Sequence, residues 1–232
     1  MAKNQLPSIL RNAAIPIILV NIIFFILQMV LGRGFTEAFM LVGSEAFSRP
    51  WILITSMFLH GSPNHILFNM YALFLFGPLI EQRIGTKRFI IAYFSSGIIA
   101  SIISSFFYEA ALGASGAIMG ILGITIMLMP HLRVLFFFII PMSLRTAGII
   151  FALIDIIGIF APSGIANIAH LAGLTYGLGF GFYLLRKKKT FNRNLEEQSR
   201  KHAHHTRHRV HSTKNIEMSK EEIDEYLRNG RL

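Results

Sequence analysis

The sequence predicts an all-α membrane protein: a bundle of six transmembrane helices with both termini in the cytoplasm. Of its 232 residues, 53% are hydrophobic and only 15% are charged, which is too little charge for the surface of a soluble domain of this size. Several apolar runs approach the ~20 residues that an α-helix needs to cross a bilayer. Lys and Arg residues concentrate in alternate connecting segments, which indicates the direction in which the chain threads the membrane.

The first apolar run follows Lys3 and Arg11. It is long for the apolar region of a signal peptide, and no small-x-small cleavage site follows it, so we expect it to be retained as the first span. The second run carries polar residues, and the fourth is so short that its helix is expected to begin below the membrane surface. The predicted spans are about 13–31, 64–81, 89–107, 115–129, 143–160 and 165–185.

Two further segments are apolar but are not predicted to span. The first loop, residues 32–63, is long and partly apolar, so we expect it to contact the membrane interface. Residues 134–140 lie between Pro130 and Pro141 and are too short to cross, so we expect an interfacial or re-entrant segment. If they crossed the membrane, the orientation of every later span would be reversed.

The charges of the connecting segments settle that orientation. With a cytoplasmic N-terminus, the outer segments carry only Arg33 and Arg49, both in the first loop. Positive residues gather on the cytoplasmic side of membrane proteins, which supports six spans with both termini inside. The inner segments then hold Lys3, Arg11, Arg83, Lys87, Arg88, Arg133, Arg145 and the tail from Arg186 onward.

The predicted organisation is a cytoplasmic N-terminus at 1–12, a six-span core at 13–185 and a basic, His-rich cytoplasmic tail at 186–232. Much of the formal net charge of +10 lies in this tail, which we expect to meet anionic lipid headgroups rather than nucleic acid. Ser219 and Glu222 form a capping-box pattern that predicts a short helix near the end of the tail. The chain has no cysteine, which excludes disulfides, thiolate nucleophiles and cysteine-based metal sites.

Three groups of polar residues lie inside or beside predicted spans. Polar side chains are costly in a membrane and therefore mark candidate functional sites. The predicted topology puts all three groups at the outer ends of their helices, and so at one depth. The groups are His60, His65 and Asn69 before and within span two, Ser115 at the start of span four, and His170 near the start of span six.

The residue types in these groups suit a hydrolytic serine site. Ser115 begins a predicted helix, where unpaired backbone N–H groups and the helix dipole can stabilise an oxyanion. His65 and Asn69 lie four residues apart on one helical face, and both can donate hydrogen bonds to such an oxyanion. Small-residue stripes let transmembrane helices approach closely, as a hydrogen bond between Ser115 and His170 requires. The stripes are Gly116, Gly120 and Gly123 on span four, and Gly173, Gly177 and Gly181 on span six.

The residues alone leave other interpretations open. Ser115 could be only a helix N-cap, and the glycines could serve packing alone. A metal could bind the imidazoles of His60, His65 and His170, although no His-Glu-x-x-His pair and no neighbouring carboxylate accompanies them in the sequence.

Two acidic residues in or near the spans receive separate interpretations. Asp155 is the one acid inside a predicted span and the one candidate there for a third member that orients the histidine. It lies close to the outer end of span five, however, and we expect it to reach water instead. Glu81 ends span two on the inner side, and we expect it to pair with a basic neighbour at the interface. Those neighbours are Arg83, Lys87 and Arg88.

These motifs resemble those of the rhomboid family of intramembrane serine proteases, over about residues 13–185. Their order, spacing and common depth make the set specific, although each motif alone is weak. The resemblance is carried by His60-Gly-Ser-Pro-Asn-His65-Ile-Leu-Phe-Asn69, Glu81-Gln-Arg83-Ile-Gly85, Gly113-Ala-Ser115-Gly116 and Ala169-His170-Leu-Ala-Gly173.

The resemblance implies that Ser115 is the nucleophile and His170 the general base, with no acid required. It implies an oxyanion hole formed by His65, Asn69 and the Ser115 backbone N–H. Gly113, which belongs to the serine motif, is assigned to the same oxyanion and substrate-binding region.

Two positions depart from the pattern of many relatives. Trp51 is followed by Ile52, where many relatives have a Trp-Arg pair, and the nearest arginine is Arg49. Met119 stands four residues after Ser115, where many relatives carry an aromatic residue that stacks on the histidine. We assign Met119 to the substrate-binding region and expect its sulfur to pack against the imidazole, altering the orientation of His170.

The activity implied by the resemblance is that of an intramembrane serine endopeptidase, a multi-pass protein of the cell membrane. It would cut single-span membrane proteins near the outer end of a helix, without a metal or cofactor and without nucleic acid. Two alternatives remain: a catalytically silent rhomboid-like protein that binds membrane helices, and a transporter. Silent relatives typically lack the serine or the histidine, and a transporter would carry charged residues along several spans.

Overall fold

The computed structural model describes residues 12–136, 140–160, 164–213 and 219–229. The chain divides into two compact units, Met1–Leu185 and Arg186–Leu232. Short 3₁₀ turns occupy Gly43–Glu45 and Ser56–Phe58. Within the described ranges the α-helices are α1 (Ala14–Leu31), α2 (Arg33–Phe39), α3 (Ile52–Thr55), α4 (Pro63–Ile84), α5 (Thr86–Ser104), α6 (Ser115–Leu128), α7 (Leu144–Ile159), α8 (Asn167–Thr213) and α9 (Lys220–Asn229). The strands are β1 (Leu41–Val42), β2 (Ala110–Ala111), β3 (Arg133–Phe136) and β4 (Ile140–Ser143).

Every predicted span has a helical counterpart, and the helix that matches the sixth span, α8, continues past residue 185. Among the described residues, three helical stretches are long and apolar enough to cross a membrane: Ala14–Leu31, Thr86–Ser104 and Asn167–Phe191. The α6 helix is apolar but has only 14 residues, in agreement with the expectation that the fourth run is short. In the second unit, α9 begins directly after Ser219 of the capping-box pattern.

The boundary between α4 and α5 differs from the prediction, which started the third span at residue 89. The α5 helix begins at Thr86, immediately after Gly85, whose φ of 85° requires the left-handed region that glycine adopts without strain. Lys87 and Arg88, which the prediction assigned to an inner connecting segment, lie in the first turn of α5. The helix ends at Ser104 rather than at residue 107.

The first loop is more regular than the sequence analysis expected. It contains α2, α3 and both 3₁₀ turns, and its β1 strand pairs antiparallel with β2, with Leu41 opposite Ala111. The Phe24 ring of α1 packs against Phe35, with ring centroids 6.0 Å apart. The Arg49 guanidinium lies 5.7 Å from the centre of the Trp51 ring, a cation–π contact made by the arginine that precedes the tryptophan.

The described residues are mostly helical, as predicted, and short strands form two small antiparallel sheets that the prediction lacked. The apolar segment expected to be interfacial or re-entrant contributes to a hairpin, in which β3 and β4 pair antiparallel with Val134 opposite Met142. Residues 137–139, in the middle of that segment, lie outside the described residues. The apolar segment is too short for a spanning helix, and its β-branched and aromatic residues favour extended strands that pair.

The core of the first unit lies where α4, α5 and α6 pack together. Its largest fully buried side chains include Tyr93, Phe89, Leu73 and Ile121. At Gly77 of α4, a Cβ atom would lie 2.8 Å from the Cβ of Ala14, so the small residue lets α1 approach α4. The site described below is positioned by this packing.

Glu81 corrects the sequence analysis, which expected it to pair with a basic residue at the interface. Its side chain is buried, with 2% of the residue exposed, and its carboxylate accepts hydrogen bonds from the backbone N–H groups of Ala13 at 2.8 Å and Ala14 at 3.1 Å. The first N–H groups of a helix lack intrahelical partners and carry the positive end of its dipole, which suits a carboxylate. Glu81 therefore caps the start of α1.

The glycine stripes bring α6 and α8 into direct backbone contact, as the sequence analysis predicted. A Cβ atom on Gly173 would overlap the carbonyl oxygen of Gly116, and one on Gly177 would overlap the carbonyl oxygen of Gly120. A Cβ on Gly123 would lie 2.6 Å from the Leu174 carbonyl oxygen. No side chain larger than hydrogen fits at these crossing points without a shift of the helices.

Candidate active site

Ser115 and His170 meet although 55 positions separate them in the sequence. Ser115 is the first residue of α6, and His170 lies in the first turn of α8. The Ser115 Oγ is 2.8 Å from the His170 Nε2, a hydrogen-bond distance. The pairing follows from the helix contact beside it, because Gly116 and Gly173 are the neighbours at which the two backbones touch.

Two polar contacts from other elements hold the starts of these helices. The Ser96 hydroxyl of α5 donates a hydrogen bond to the Gly116 carbonyl oxygen at 3.1 Å. The Ile168 backbone N–H at the start of α8 donates to the Tyr108 hydroxyl at 3.0 Å. The sequence analysis did not single out Tyr108, since it lies in the short connection before α6 and belongs to no motif.

Asp155 contradicts the expectation that it reaches water. It is buried, with 5% of its surface exposed, and its Oδ1 lies 2.9 Å from the His170 Nδ1. The sequence analysis placed Asp155 by depth along its helix, and depth gives no information about the direction in which a side chain points. The face of α7 that carries Asp155 is turned toward α8.

His65 and Gly113 lie beside Ser115. Gly113 has a φ of 127°, and a Cβ there would lie 2.8 Å from both Cε1 and Nε2 of His65 and 3.8 Å from the Ser115 Oγ. The absence of a Cβ thus leaves room for the imidazole edge near the serine. The Gly61 backbone N–H donates to the His65 Nδ1 at 3.3 Å, so the neutral ring carries its hydrogen on Nε2, the nitrogen nearest Gly113.

Asn69 and Met119 occupy different environments near this group. Asn69 is buried, and its Nδ2 donates one hydrogen bond to the His65 carbonyl oxygen at 2.9 Å; a second amide hydrogen remains on the same nitrogen. Met119 is buried in an apolar cluster with Leu122, Leu144 and Leu174. Its role against the imidazole stays a prediction.

His60 lies in the turn before α4 and packs edge-on against His65, with ring centroids 5.0 Å apart and an interplanar angle of 70°. Only 2% of His60 is exposed, and its backbone N–H donates to the Gln28 Oε1 at 2.9 Å. Burial, followed by repulsion from His65, lowers the pKa of His60 from 6.5 to about 4. His60 is therefore neutral at ordinary pH.

The metal interpretation finds no grouping of side chains in the part of the chain that the structure describes. Among those residues, no three His, Asp or Glu side chains converge in a way that could hold a metal ion. His60 and His65 face each other edge-on, while the two ring nitrogens of His170 face Ser115 and Asp155.

The fold and this site define a class: a helical membrane protein in which a serine at one helix start meets a histidine at another. The comparison with known proteins then gives the family. A family model for the Rhomboid domain matches residues 48–187, and the chain belongs to the rhomboid family. The resemblance noted in the sequence is thereby confirmed.

The relatives extend across bacteria, plants and fungi. The chain is 36% identical over 166 residues to the rhomboid protease GluP of Bacillus subtilis, covering 67% of this chain and 31% of that protein. It is 33% identical over 144 residues to RHOMBOID-like protein 6, mitochondrial, of Arabidopsis thaliana, covering 60% and 45%. It is 29% identical over 177 residues to Rhomboid protein 1, mitochondrial, of Saccharomyces cerevisiae, covering 72% and 51%. The chain thus spans a third to a half of the length of these relatives.

Proposed function

We propose that this chain is an intramembrane serine endopeptidase that cleaves transmembrane segments of membrane proteins near the outer leaflet. The observation that carries the proposal is the 2.8 Å distance between Ser115 Oγ and His170 Nε2. A hydroxyl and an imidazole at this distance can exchange a proton, which is the requirement for nucleophilic catalysis by serine. Membership of a family whose named relatives include proteases supports the same activity.

The reaction begins when the Ser115 oxygen attacks the carbonyl carbon of the scissile peptide. His170 Nε2 takes the hydroxyl proton as the new C–O bond forms, and the carbonyl π electrons move to the oxygen. When the intermediate collapses, the C–N bond breaks and the same proton passes to the leaving amine. Water then attacks the acyl-enzyme by the reverse sequence, which releases the second product and restores the Ser115 hydroxyl.

The oxyanion of the intermediate needs donors in place before the reaction. The Ser115 backbone N–H is one, since it lies at a helix start where N–H groups have no intrahelical partner. The His65 Nε2–H is a second, because Gly61 holds the hydrogen of the neutral ring on that nitrogen. The free amide hydrogen of Asn69 is a third, four residues along the same face of α4.

The proposed topology has six spans, formed by α1, α4, α5, α6, α7 and the part of α8 before residue 186, with both termini in the cytoplasm. In this arrangement the starts of α4, α6 and α8 lie toward the outer leaflet, together with the catalytic dyad of Ser115 and His170. Residues 186–232 form a basic cytoplasmic tail that meets anionic lipid headgroups. The substrates are single-span membrane proteins, and the enzyme is a multi-pass protein of the cell membrane.

The test is cleavage of a single-span model substrate in proteoliposomes. We expect Ser115→Ala and His170→Ala to abolish cleavage while the purified proteins keep the helical content of the wild type. Ser143→Ala is the matched control, because Ser143 caps the start of α7 and accepts from the Thr146 N–H, at the other end of that helix from Asp155. Full cleavage by either dyad variant would contradict the proposal.

A second readout separates an enzyme from a silent membrane-helix binder. A fluorophosphonate probe phosphorylates an activated serine, so labelling that is lost in Ser115→Ala and retained in Ser143→Ala supports the protease. Substrate binding without any labelling of Ser115 would favour the silent binder.

A further inference from the structure

Asp155 and Ser115 lie at opposite nitrogens of one imidazole. The His170 Nε2 is 2.8 Å from the serine oxygen, and the His170 Nδ1 is 2.9 Å from the Asp155 Oδ1. A carboxylate only accepts hydrogen bonds, so the Nδ1 carries the hydrogen and donates it. The neutral ring then has no hydrogen on Nε2, which leaves that nitrogen free to accept the proton of Ser115.

The burial of Asp155 shows that this contact matters energetically. A carboxylate with 5% exposure has lost most of its hydration, and an unpaired charge in such surroundings is expensive. The partner that the structure gives it is the His170 imidazole, which is charged only when it is protonated. The interaction therefore becomes stronger when the imidazole gains its positive charge, which happens during serine attack.

A second contact between α7 and α8 lies beside the pair. Asp155 and Gly158 lie three residues apart on one face of α7, and Asn167 and His170 lie three apart on one face of α8. A Cβ on Gly158 would lie 2.6 Å from the Asn167 Nδ2, so the end of α7 touches the start of α8 at that point. The two helices thus pair Gly158 with Asn167 and, one turn away, Asp155 with His170.

We propose that Asp155 is a positioning residue that fixes the His170 tautomer and stabilises its imidazolium, so that the site works as a Ser115–His170–Asp155 triad. This proposal rests on the proposed protease function. In the reaction, Asp155 keeps its negative charge and accepts the Nδ1 hydrogen throughout. The proton of Ser115 moves to Nε2 and onward to the leaving amine, as derived above.

The test is the Asp155→Asn variant in the proteoliposome assay. An asparagine amide can donate to Nδ1, which moves the ring hydrogen to Nε2 and blocks proton abstraction. In a soluble serine protease the equivalent change lowers kcat by about 10⁴-fold, and we expect a loss of at least about 100-fold here. Because the contact that the structure gives Asp155 is with the histidine, KM should stay within about twofold of the wild type. The rate of fluorophosphonate labelling at Ser115 should fall with kcat.

The matched control is Glu81→Gln, which removes the charge of another buried carboxylate that is hydrogen-bonded to backbone rather than to the site. We expect Glu81→Gln to lower the thermal unfolding midpoint and to leave kcat of the folded protein unchanged. If kcat of Asp155→Asn stays within twofold of the wild type, or falls only in proportion to a loss of folded protein, the positioning role is contradicted.

Gly158→Ala provides a second variant that keeps the carboxylate. Its added methyl displaces the Asn167 side-chain amide beside the pair, so kcat should fall, by less than in Asp155→Asn, while the carboxylate is still present. Unchanged kcat in both variants would overturn the inference. Activity in Ser115→Ala would overturn the protease function itself, and an inactive Ser115→Ala beside a fully active Asp155→Asn would leave the dyad standing and remove only Asp155.

Discussion

Asp155 and Glu81 are both buried carboxylates in an apolar helical core, and their partners differ in kind. Glu81 accepts hydrogen bonds from the backbone N–H groups of Ala13 and Ala14, which have one protonation state and a fixed direction. Asp155 lies 2.9 Å from His170 Nδ1, on a ring that gains and loses a proton. The first arrangement holds a helix in place, whereas the second can follow a charge that appears during a reaction.

The comparison shows how a membrane protein can use costly polar groups in two ways. A carboxylate bonded to backbone contributes to the stability of the fold, and its removal should lower the free energy of unfolding. A carboxylate bonded to a titratable side chain contributes most when that side chain is charged. Stability and kcat are therefore separate readouts. Substitutions at the site and substitutions in the helix framework should change them independently.

The largest expected effect is on activity. His170→Ala removes the base, and in a soluble serine protease the loss of the equivalent histidine lowers kcat by about 10⁶-fold. We expect cleavage below detection in proteoliposomes, together with a lower thermal unfolding midpoint because the buried Asp155 carboxylate loses its partner. Ser115→Ala leaves that pair intact and should abolish cleavage with a midpoint near that of the wild type. Cleavage by folded His170→Ala protein would contradict the role of His170 as the base.

The next effect is the dependence of protein stability on pH, which we expect His60 to cause. Its pKa is lowered to about 4 in the folded protein, against 6.5 when solvated. Below about pH 6.5 the unfolded chain therefore binds a proton at His60 that the folded chain does not bind. The free energy of unfolding falls as the pH drops toward 4. A shift of this size corresponds to a loss of about 3 kcal/mol.

Thermal unfolding at pH 7.5, 6 and 4.5 checks the behaviour of His60. The wild type should lose stability over this range, and His60→Gln should lose less. His131→Gln is the control, since His131 is exposed and should leave the pH dependence of the wild type unchanged. Parallel curves for wild type and His60→Gln would contradict the assignment.

Gly173→Ala should reduce both the stability of the protein and kcat, because Gly173 lies at the helix contact that brings Ser115 and His170 together. A Cβ at that position overlaps the Gly116 carbonyl oxygen, so α6 and α8 must separate at a cost of about 1–3 kcal/mol. Moving Ser115 away from His170 should also lower kcat. Gly179 is the matched control on the same helix, because nothing lies within 4 Å of its Cβ position.

Gly179→Ala should be neutral or slightly stabilising, by up to about 1 kcal/mol, since alanine favours the helix over glycine. Thermal unfolding and substrate cleavage measured on both glycine variants check the pair. Equal effects of the two substitutions would show that the contact between Gly173 and Gly116 does not hold the dyad.

The smallest effect is on stability alone, at Glu81. Glutamine keeps one acceptor oxygen but loses the charge that favours the start of α1, so Glu81→Gln should cost about 1–2 kcal/mol. Thermal unfolding should register this cost while kcat of the folded fraction is unchanged. A matching fall in kcat would erase the distinction between the two carboxylates.

The sequence was sufficient to predict that Ser115, His170 and His65 lie together, because hydropathy indicates where their helices begin. The glycine stripes were readable for the same reason, since small residues repeat on one face. Both acids were misread because hydropathy gives depth and no direction around the helix. The signal for Asp155 was present in Gly158 and Asn167, one turn from the acid and from the histidine.

The first loop and the β3–β4 hairpin show the other limit of the sequence. Their order depends on pairing between distant segments, as in β1 with β2, where Leu41 lies opposite Ala111. A two-residue strand has no periodicity to read, and its partner is visible only once the helices between them have folded. Apolar composition predicted contact with the membrane interface, which stays a prediction, and could not predict the short helices and strands of these segments.

The central claim is that Ser115 is a nucleophile activated by His170. The most direct measurement is the site of fluorophosphonate modification, found by mass spectrometry of the intact protein in proteoliposomes and repeated with His170→Ala. The account predicts stoichiometric modification at Ser115 in the wild type and at least about a 100-fold slower reaction in the variant. Modification at another serine, or labelling of Ser115 at the same rate without His170, would contradict it.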